Sequence, residues 1–316
     1  MAHLKKFVAA GMTLTMVVGL LPVTAMAAHY NEWVKKSDGY WYYYDDEGHK
    51  VKNESRYSSE DGCYYLLNSK GQRVTAKGLT TTTKFYTYYG DKIKYKRSYY
   101  VKEGGALVTY TWKKISGKYY YFQSDGTMYK GGTQFRDYDE NGNSKYWLLG
   151  NDGKRVTAKG WYKAKHTYID SDGDVYKYED YYYVLSDGSV AINCVKKIGG
   201  KYYAFGYGGT MVKNATYMSP SGKVYLYGDN GARIKKAGWA TVKETHEYPS
   251  AYGPSKYVYT YKYYIKKDAS VTVGWKKIKG KWYYFDYQML RRTKASYIES
   301  GKTFIFNNSG VCINHG

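Results

Sequence analysis

Cysteine, proline, phenylalanine and acid are all scarce in this chain, and each shortage removes a class of answers. Three cysteines among 316 residues cannot all pair, and Cys63, Cys194 and Cys312 occupy slots that equivalent stretches fill otherwise. Cys63 aligns with Lys145, Lys223 and Lys302, and Cys312 with Arg73, Arg155 and Arg233, so no disulfide framework is expected. With four prolines and no helical periodicity beyond residue 27, almost no helix is expected. Eight phenylalanines stand against 45 tyrosines, whose hydroxyls must reach water or a partner. That balance suits a slender rod with a thin core better than a thick globule.

Acidic residues number 27 against 49 lysines and arginines, a formal charge of +22 that attracts polyanions and repels cations at long range. The carboxylates fall mainly in turns and strand edges, with no private dyad, and the six histidines are scattered, His166 and His246 in equivalent positions. Without a nucleophile, base and orienting group in one segment, no catalytic residue is expected. Asp170-Ser171-Asp172-Gly173-Asp174 resembles a calcium loop, but its glycine is fourth where the EF-hand pattern wants the sixth, and no glutamate stands at the twelfth. It reads as an acidic turn, and neither metal nor cofactor is expected.

A long apolar run occurs only near the start. Lys5-Lys6, the stretch from Phe7 to Val23, and Ala25-Met26-Ala27 follow the order of a secretory signal peptide, with cleavage expected after Ala27. The remainder, 28–316, offers no candidate membrane span. Residues 307–316 hold no apolar segment either, so retention at a surface is expected to be non-covalent.

What is present is repetition. Trp112-Lys113-Lys114-Ile115-Ser116-Gly117-Lys118-Tyr119-Tyr120-Tyr121-Phe122 returns as Trp275-Lys276-Lys277-Ile278-Lys279-Gly280-Lys281-Trp282-Tyr283-Tyr284-Phe285, and again from Val195 to Phe205. Two further unit types follow in fixed order: one ending in Arg-Val-Thr-Ala-Lys-Gly at Arg73 and Arg155, and a longer one opening at Leu79, Trp161 and Trp239. Gly71, Gly153, Gly231 and Gly310 mark a composite of about 80 residues, and the whole comprises about eleven units. Aromatic and β-branched runs flank Ser124-Asp125-Gly126, Asn151-Asp152-Gly153, Ser186-Asp187-Gly188 and Asp229-Asn230-Gly231, turn signals of antiparallel hairpins. A lone hairpin is unstable in water, so the units are expected to stack into an all-β solenoid, a superhelix of tandem β-hairpins spanning 28–316.

The run Gly274-Trp275-Lys276-Lys277-Ile278-Lys279-Gly280-Lys281-Trp282-Tyr283-Tyr284-Phe285 with Met289 resembles the cell-wall-binding repeat. That unit builds choline-binding modules of Gram-positive surface proteins and, in relatives, glucan-binding domains and clostridial toxin receptor-binding regions. Trp112, Gly117, Tyr119, Tyr120, Gly126 and Met128 carry the same resemblance, which extends over the chain from about Trp33. It implies a superhelix advancing a third of a turn per hairpin, each unit type forming its own column. It also implies ligand cages between successive hairpins, made by the opening tryptophan, the aromatic before Tyr-Tyr and an aromatic from the next unit.

Carried over, the ligand-binding candidates are Trp112 with Tyr119 and Tyr120, Trp275 with Trp282 and Tyr283, and the long-unit openers Trp161 and Trp239. Val195 and Leu79 replace the opening tryptophan in single copies, and no tryptophan opens the second unit type at Thr133, Ala215 or Ala295, so at most two of three junction types can hold a full cage. Aromatic faces attract quaternary ammonium, but the high positive charge disfavours cations, leaving choline and teichoic-acid phosphates both open as head groups. The expected protein is secreted, non-catalytic and attached to cell-wall teichoic acid or polysaccharide. An adhesin or structural rod contacting host glycans or proteins is the alternative, and nucleic acid is a poor match for an exported chain.

Overall fold

The computed structural model describes residues 29–88, 91–138, 140–169, 175–248, 255–286 and 296–315; the expected signal peptide and the acidic turn at 170–174 lie outside them. Eleven two-stranded antiparallel sheets, with no helix, account for the described secondary structure. Short hairpins pair Glu32–Lys35 with Trp41–Tyr44, Thr111–Ile115 with Lys118–Phe122, Cys194–Ile198 with Lys201–Phe205, and Gly274–Ile278 with Lys281–Phe285. Intermediate hairpins pair Glu54–Ser58 with Cys63–Leu67, Thr133–Tyr138 with Ser144–Leu148, Ala215–Met218 with Val224–Tyr227, and Ser296–Glu299 with Lys302–Ile305. Long hairpins pair Gly78–Tyr88 with Asp91–Val101, Gly160–Ile169 with Val175–Val184, and Gly238–Tyr248 with Ser255–Ile265.

The tight turns fall elsewhere than at the Asp-Gly and Asn-Gly signals. Ser116-Gly117, Gly199-Gly200, Lys279-Gly280 and Ser300-Gly301 join paired strands, and both residues of each have positive φ, as a type I′ turn requires. Ser124-Asp125-Gly126 and its equivalents instead follow the second strand and return the chain to a single bridge, such as Phe122 to Met128 or Leu149 to Arg155. Three residues with glycine last, at φ 81° in Gly126, form a bulged turn that reverses direction without a third full strand. In the Asp125 and Asp187 copies the aspartate fixes it: Asp125 Oδ1 accepts from Thr127 N at 2.9 Å, and Asp187 Oδ1 from Ser189 N at 3.0 Å.

That return segment joins the units. Arg73 N donates to Trp41 O of the preceding hairpin, Leu107 N to Tyr64 O, Met128 N to Ser98 O, Arg155 N to Tyr119 O and Val190 N to Tyr146 O, all between 2.7 and 3.0 Å. The next residue bonds back to its own hairpin, as Val74 N does to Leu66 O at 2.8 Å. Among the described residues these returns clip consecutive hairpins together through backbone alone, and the separate sheets become one stacked array.

Side chains seal the stack unevenly. Where an intermediate hairpin meets a long one, Leu66, Leu148 and Leu226 are fully buried against Tyr99, Tyr182 and Tyr263 and against Leu107, Val190 and Val271. Burying one such leucine contributes about 1.5–3 kcal/mol to these junctions. They are also closed, leaving the other two junction types to present rings to solvent.

Candidate functional site

Cross-strand partners share a face of the hairpin, and this decides which rings meet. Trp33 pairs with Tyr43, Trp112 with Tyr121, Trp161 with Tyr183, Trp239 with Tyr264 and Trp275 with Tyr284. In every case the indole stands edge-on to that tyrosine with centroids 5.1–5.4 Å apart. The following hairpin adds a third ring: Tyr65 at 5.8 Å, Trp147 at 5.1 Å, Tyr203 at 4.8 Å, Tyr283 at 5.0 Å and Phe304 at 4.7 Å, respectively. Five three-ring corners therefore straddle hairpin junctions.

The expected groupings are rearranged by this parity. Tyr119 shares the Trp112 face, since its partner Lys114 lies two residues from Trp112, and it meets Trp147 at 5.5 Å. Tyr120 lies on the opposite face, 8% exposed, among Val108, Phe122 and Met128. Its position between Tyr119 and Tyr121 sends it inward, so it packs the stack instead of lining the Trp112 corner. Trp282 stands at 6.5 Å from Trp275, but Tyr283 points away from both and completes the Trp239 corner one hairpin earlier. The same alternation splits each lysine pair: Lys113 Nζ lies 4.5 Å from the Tyr100 ring on one side, Lys114 Nζ 5.7 Å from Tyr119 on the other.

Rings that composition did not single out complete the corners, Trp147, Tyr203 and Phe304 among them, and so do cations of the chain itself. Arg155 lies 3.3 Å from the centroid of Trp147, Arg73 3.4 Å from Tyr65, and Arg233 3.8 Å from Tyr225. Arg136 stacks at 4.9 Å on Trp147 as well, and burial together with Arg136 lowers the Arg155 pKa. The shared Arg of the repeat ending therefore already covers the ring face at each of these intermediate hairpins. In the last copy Cys312 takes that slot, and His315 instead stacks on Trp282 at 4.3 Å and lies 4.5 Å from Trp275. Of the tryptophan indole N–H groups, those of Trp33 and Trp112 donate to the carbonyls of Tyr57 and Phe135 at 3.1 Å, and that of Trp275 to Glu299 Oε2 at 2.7 Å.

The long-hairpin corners differ. Trp161 remains 42% exposed and Trp239 43%, although each also contacts a buried phenylalanine, Phe205 or Phe285, at 5.9 and 5.8 Å. Among the described residues no lysine or arginine lies over Trp161, Tyr183 or Tyr203. A further recess of about 580 Å³ adjoins Trp33, lined by Tyr43, Tyr57, Tyr64, Glu32 and Glu60. The three cysteines are free, no described group of His, Cys, Asp and Glu is arranged to hold a metal, and no described helix is long and apolar enough to cross a membrane.

Among curated proteins, glucosyltransferase-I of Streptococcus downei is 26% identical over 333 residues, covering 89% of this chain and 20% of its own length. Glucosyltransferase-S of Streptococcus mutans is 26% identical over 264 residues, covering 81% and 16%. The chain therefore spans no more than a fifth of the length of these relatives. Among solved structures, alternansucrase in complex with isomaltononaose is 19% identical with TM-score 0.36, over 89% of this chain and 18% of that one. Choline binding protein F of Streptococcus pneumoniae is 20% identical with TM-score 0.31, over 91% and 93%. Residues 111–128 and 273–288, which hold the Trp112 and Trp275 hairpins, match the family model of the cell wall binding repeat.

Proposed function

We propose that this is a secreted, non-catalytic protein that attaches to an acidic polymer of the Gram-positive cell wall, of the teichoic-acid type, through its half-exposed tryptophan corners. The observation that carries the proposal is the Trp161 corner, where an indole 42% exposed stands between Tyr183 and Tyr203 with no cation of the chain over those rings among the described residues. Such a corner accepts the apolar face of a sugar or an onium head group, and the positive surface holds the phosphates between. Each contact is weak, but tandem corners on one array multiply through effective concentration. The signal-peptide pattern at the start supports export.

The test is retention on purified cell walls. The full chain is retained, released by salt, and lost when teichoic acid is stripped; Trp161→Ala with Trp239→Ala lowers retention by about tenfold. Elution by choline alone, without salt, would replace the polyanion with a choline ligand. Absence of retention on intact walls would end the proposal.

A further inference from the structure

The three long hairpins are copies of one unit, yet one stretch departs in charge. Aligned on Tyr99, Tyr182 and Tyr263, it reads Lys94-Tyr95-Lys96-Arg97, then Lys177-Tyr178-Glu179-Asp180, then Val258-Tyr259-Thr260-Tyr261. Packing does not require the cationic version, since the other two copies form the same hairpin without it.

In the structure this stretch walls a cleft of about 550 Å³. Lys94 and Lys96 stand on one side, Lys165 and Lys177 of the next long hairpin on the other, and Lys130 from the connecting segment between them. None of the five is ion-paired to a described carboxylate, whereas nearby Lys163 is held by Glu179 at 2.9 Å. The one carboxylate in the lining, Asp125, is engaged in its own turn, accepting from Thr127 N at 2.9 Å and Thr127 Oγ1 at 2.6 Å. Lys130 is half-buried, its Nζ donating to Ser98 Oγ at 3.3 Å; burial lowers its pKa, the charge of Asp152 raises it and that of Lys96 lowers it, with burial the largest effect. Gathering like charges in a concave, partly desolvated place opposes folding, and a bound anion relieves it. Arg97 also lines the cleft, but its guanidinium is ion-paired with Glu54 at 3.7 Å, so the cations left to meet a ligand are chiefly ammonium groups. Ammonium groups bind phosphate as point charges without a guanidinium fork, and a polyanionic phosphate offsets more of these gathered like charges than a single carboxylate does.

We propose that the cleft between the first and second long hairpins, formed by Lys94, Lys96, Lys130, Lys165 and Lys177, binds a segment of a phosphate-bearing polymer. It names one subsite of the wall polymer proposed above and rests on that reading only for the source of the phosphate. The site is separate from the tryptophan corners and acts by charge and hydrogen bonding, with Gln123 and Asn151 also in its lining.

The probe is inorganic tripolyphosphate, titrated calorimetrically into the full chain at fixed salt. Lys94→Gln, Lys96→Gln and Lys130→Gln together weaken binding by about tenfold, while Lys266→Gln, Lys267→Gln and Lys281→Gln, which remove the same charge elsewhere, change it by less than about threefold. Equal losses in the two triples, or no binding by the unaltered chain, overturn the site. If the cleft triple is unfolded by near-ultraviolet circular dichroism, Lys96→Gln alone decides, with a loss of about threefold expected and no change overturning the site. Trp161→Ala with Trp239→Ala keeps tripolyphosphate binding; its loss there overturns the separateness of the site. Tripolyphosphate binding by a chain that intact walls do not retain would sink the wall reading and leave the cleft standing, and wall retention without tripolyphosphate binding would do the reverse.

Discussion

At the scale of single residues, the repeat exposes its own exceptions. Gly126 and Gly188 close their turns at φ 81° and 77°, but the equivalent Ala269 adopts φ 65°, where a Cβ is disfavoured. Asp268 holds the turn regardless, accepting from Ser270 N at 3.0 Å and Ser270 Oγ at 2.6 Å and ion-pairing with Lys223 at 2.9 Å. Those contacts depress its carboxyl well below the usual range, so its contribution is present above that range and fades as pH falls through it. Ala269→Gly is expected to stabilise the chain by about 0.5–1 kcal/mol, the relief of αL strain less the added freedom of the unfolded chain. The check is the denaturant midpoint, which rises; a fall would mean that the alanine Cβ packs more favourably than its backbone is strained. Arg155, Arg73 and Arg233 make the complementary point, because a charged residue in a repeat ending does its work by stacking on rings of its own hairpin.

At the scale of elements, the junctions between intermediate and long hairpins hold the array. Tyr182 and Tyr263, 4% and 6% exposed, sit in these seams, and burial pushes both phenols up to about 12. A pKa raised on folding gives stability that is complete below the ordinary tyrosine range near 10 and is lost as pH rises toward 12. Alkaline unfolding is therefore expected between those values, with exposed tyrosines ionising first and these two only as tertiary circular dichroism disappears. Tyr263→Phe should move the alkaline midpoint upward while changing stability at neutral pH by less than about 1 kcal/mol. An unchanged midpoint would show that another group triggers the transition.

At the scale of the whole molecule, backbone clips join consecutive hairpins wherever the return segment is among the described residues, so the array is close to a sum of nearest-neighbour terms. Deleting 161–238 joins Gly160 to Trp239 and replaces one long-hairpin start by its equivalent, so the shortened chain should still fold. It loses the Trp161 corner, and wall retention should fall by about tenfold while near-ultraviolet dichroism per residue stays unchanged. Salt elution from walls measures the first and spectroscopy the second; undiminished retention would place binding in a single unit.

The sequence by itself determined the hairpin unit, its order, the composite length and the resemblance to the cell-wall-binding repeat, because aromatic spacing and glycine turns are local signals that recur in register. It also offered the opening tryptophans, with Tyr119, Tyr120, Trp282 and Tyr283, as candidate binding rings. Only the tertiary structure decided which rings meet, since strand alternation turns Tyr120 inward and hands Tyr283 to Trp239, a contact across a junction that no single unit contains. Likewise the arginines over Trp147, Tyr65 and Tyr225, and the lysines gathered from three segments into one cleft, become neighbours only when hairpins stack. Spacing along the chain sets a residue's face within its own hairpin, and the stacking of one hairpin on the next sets what that face touches.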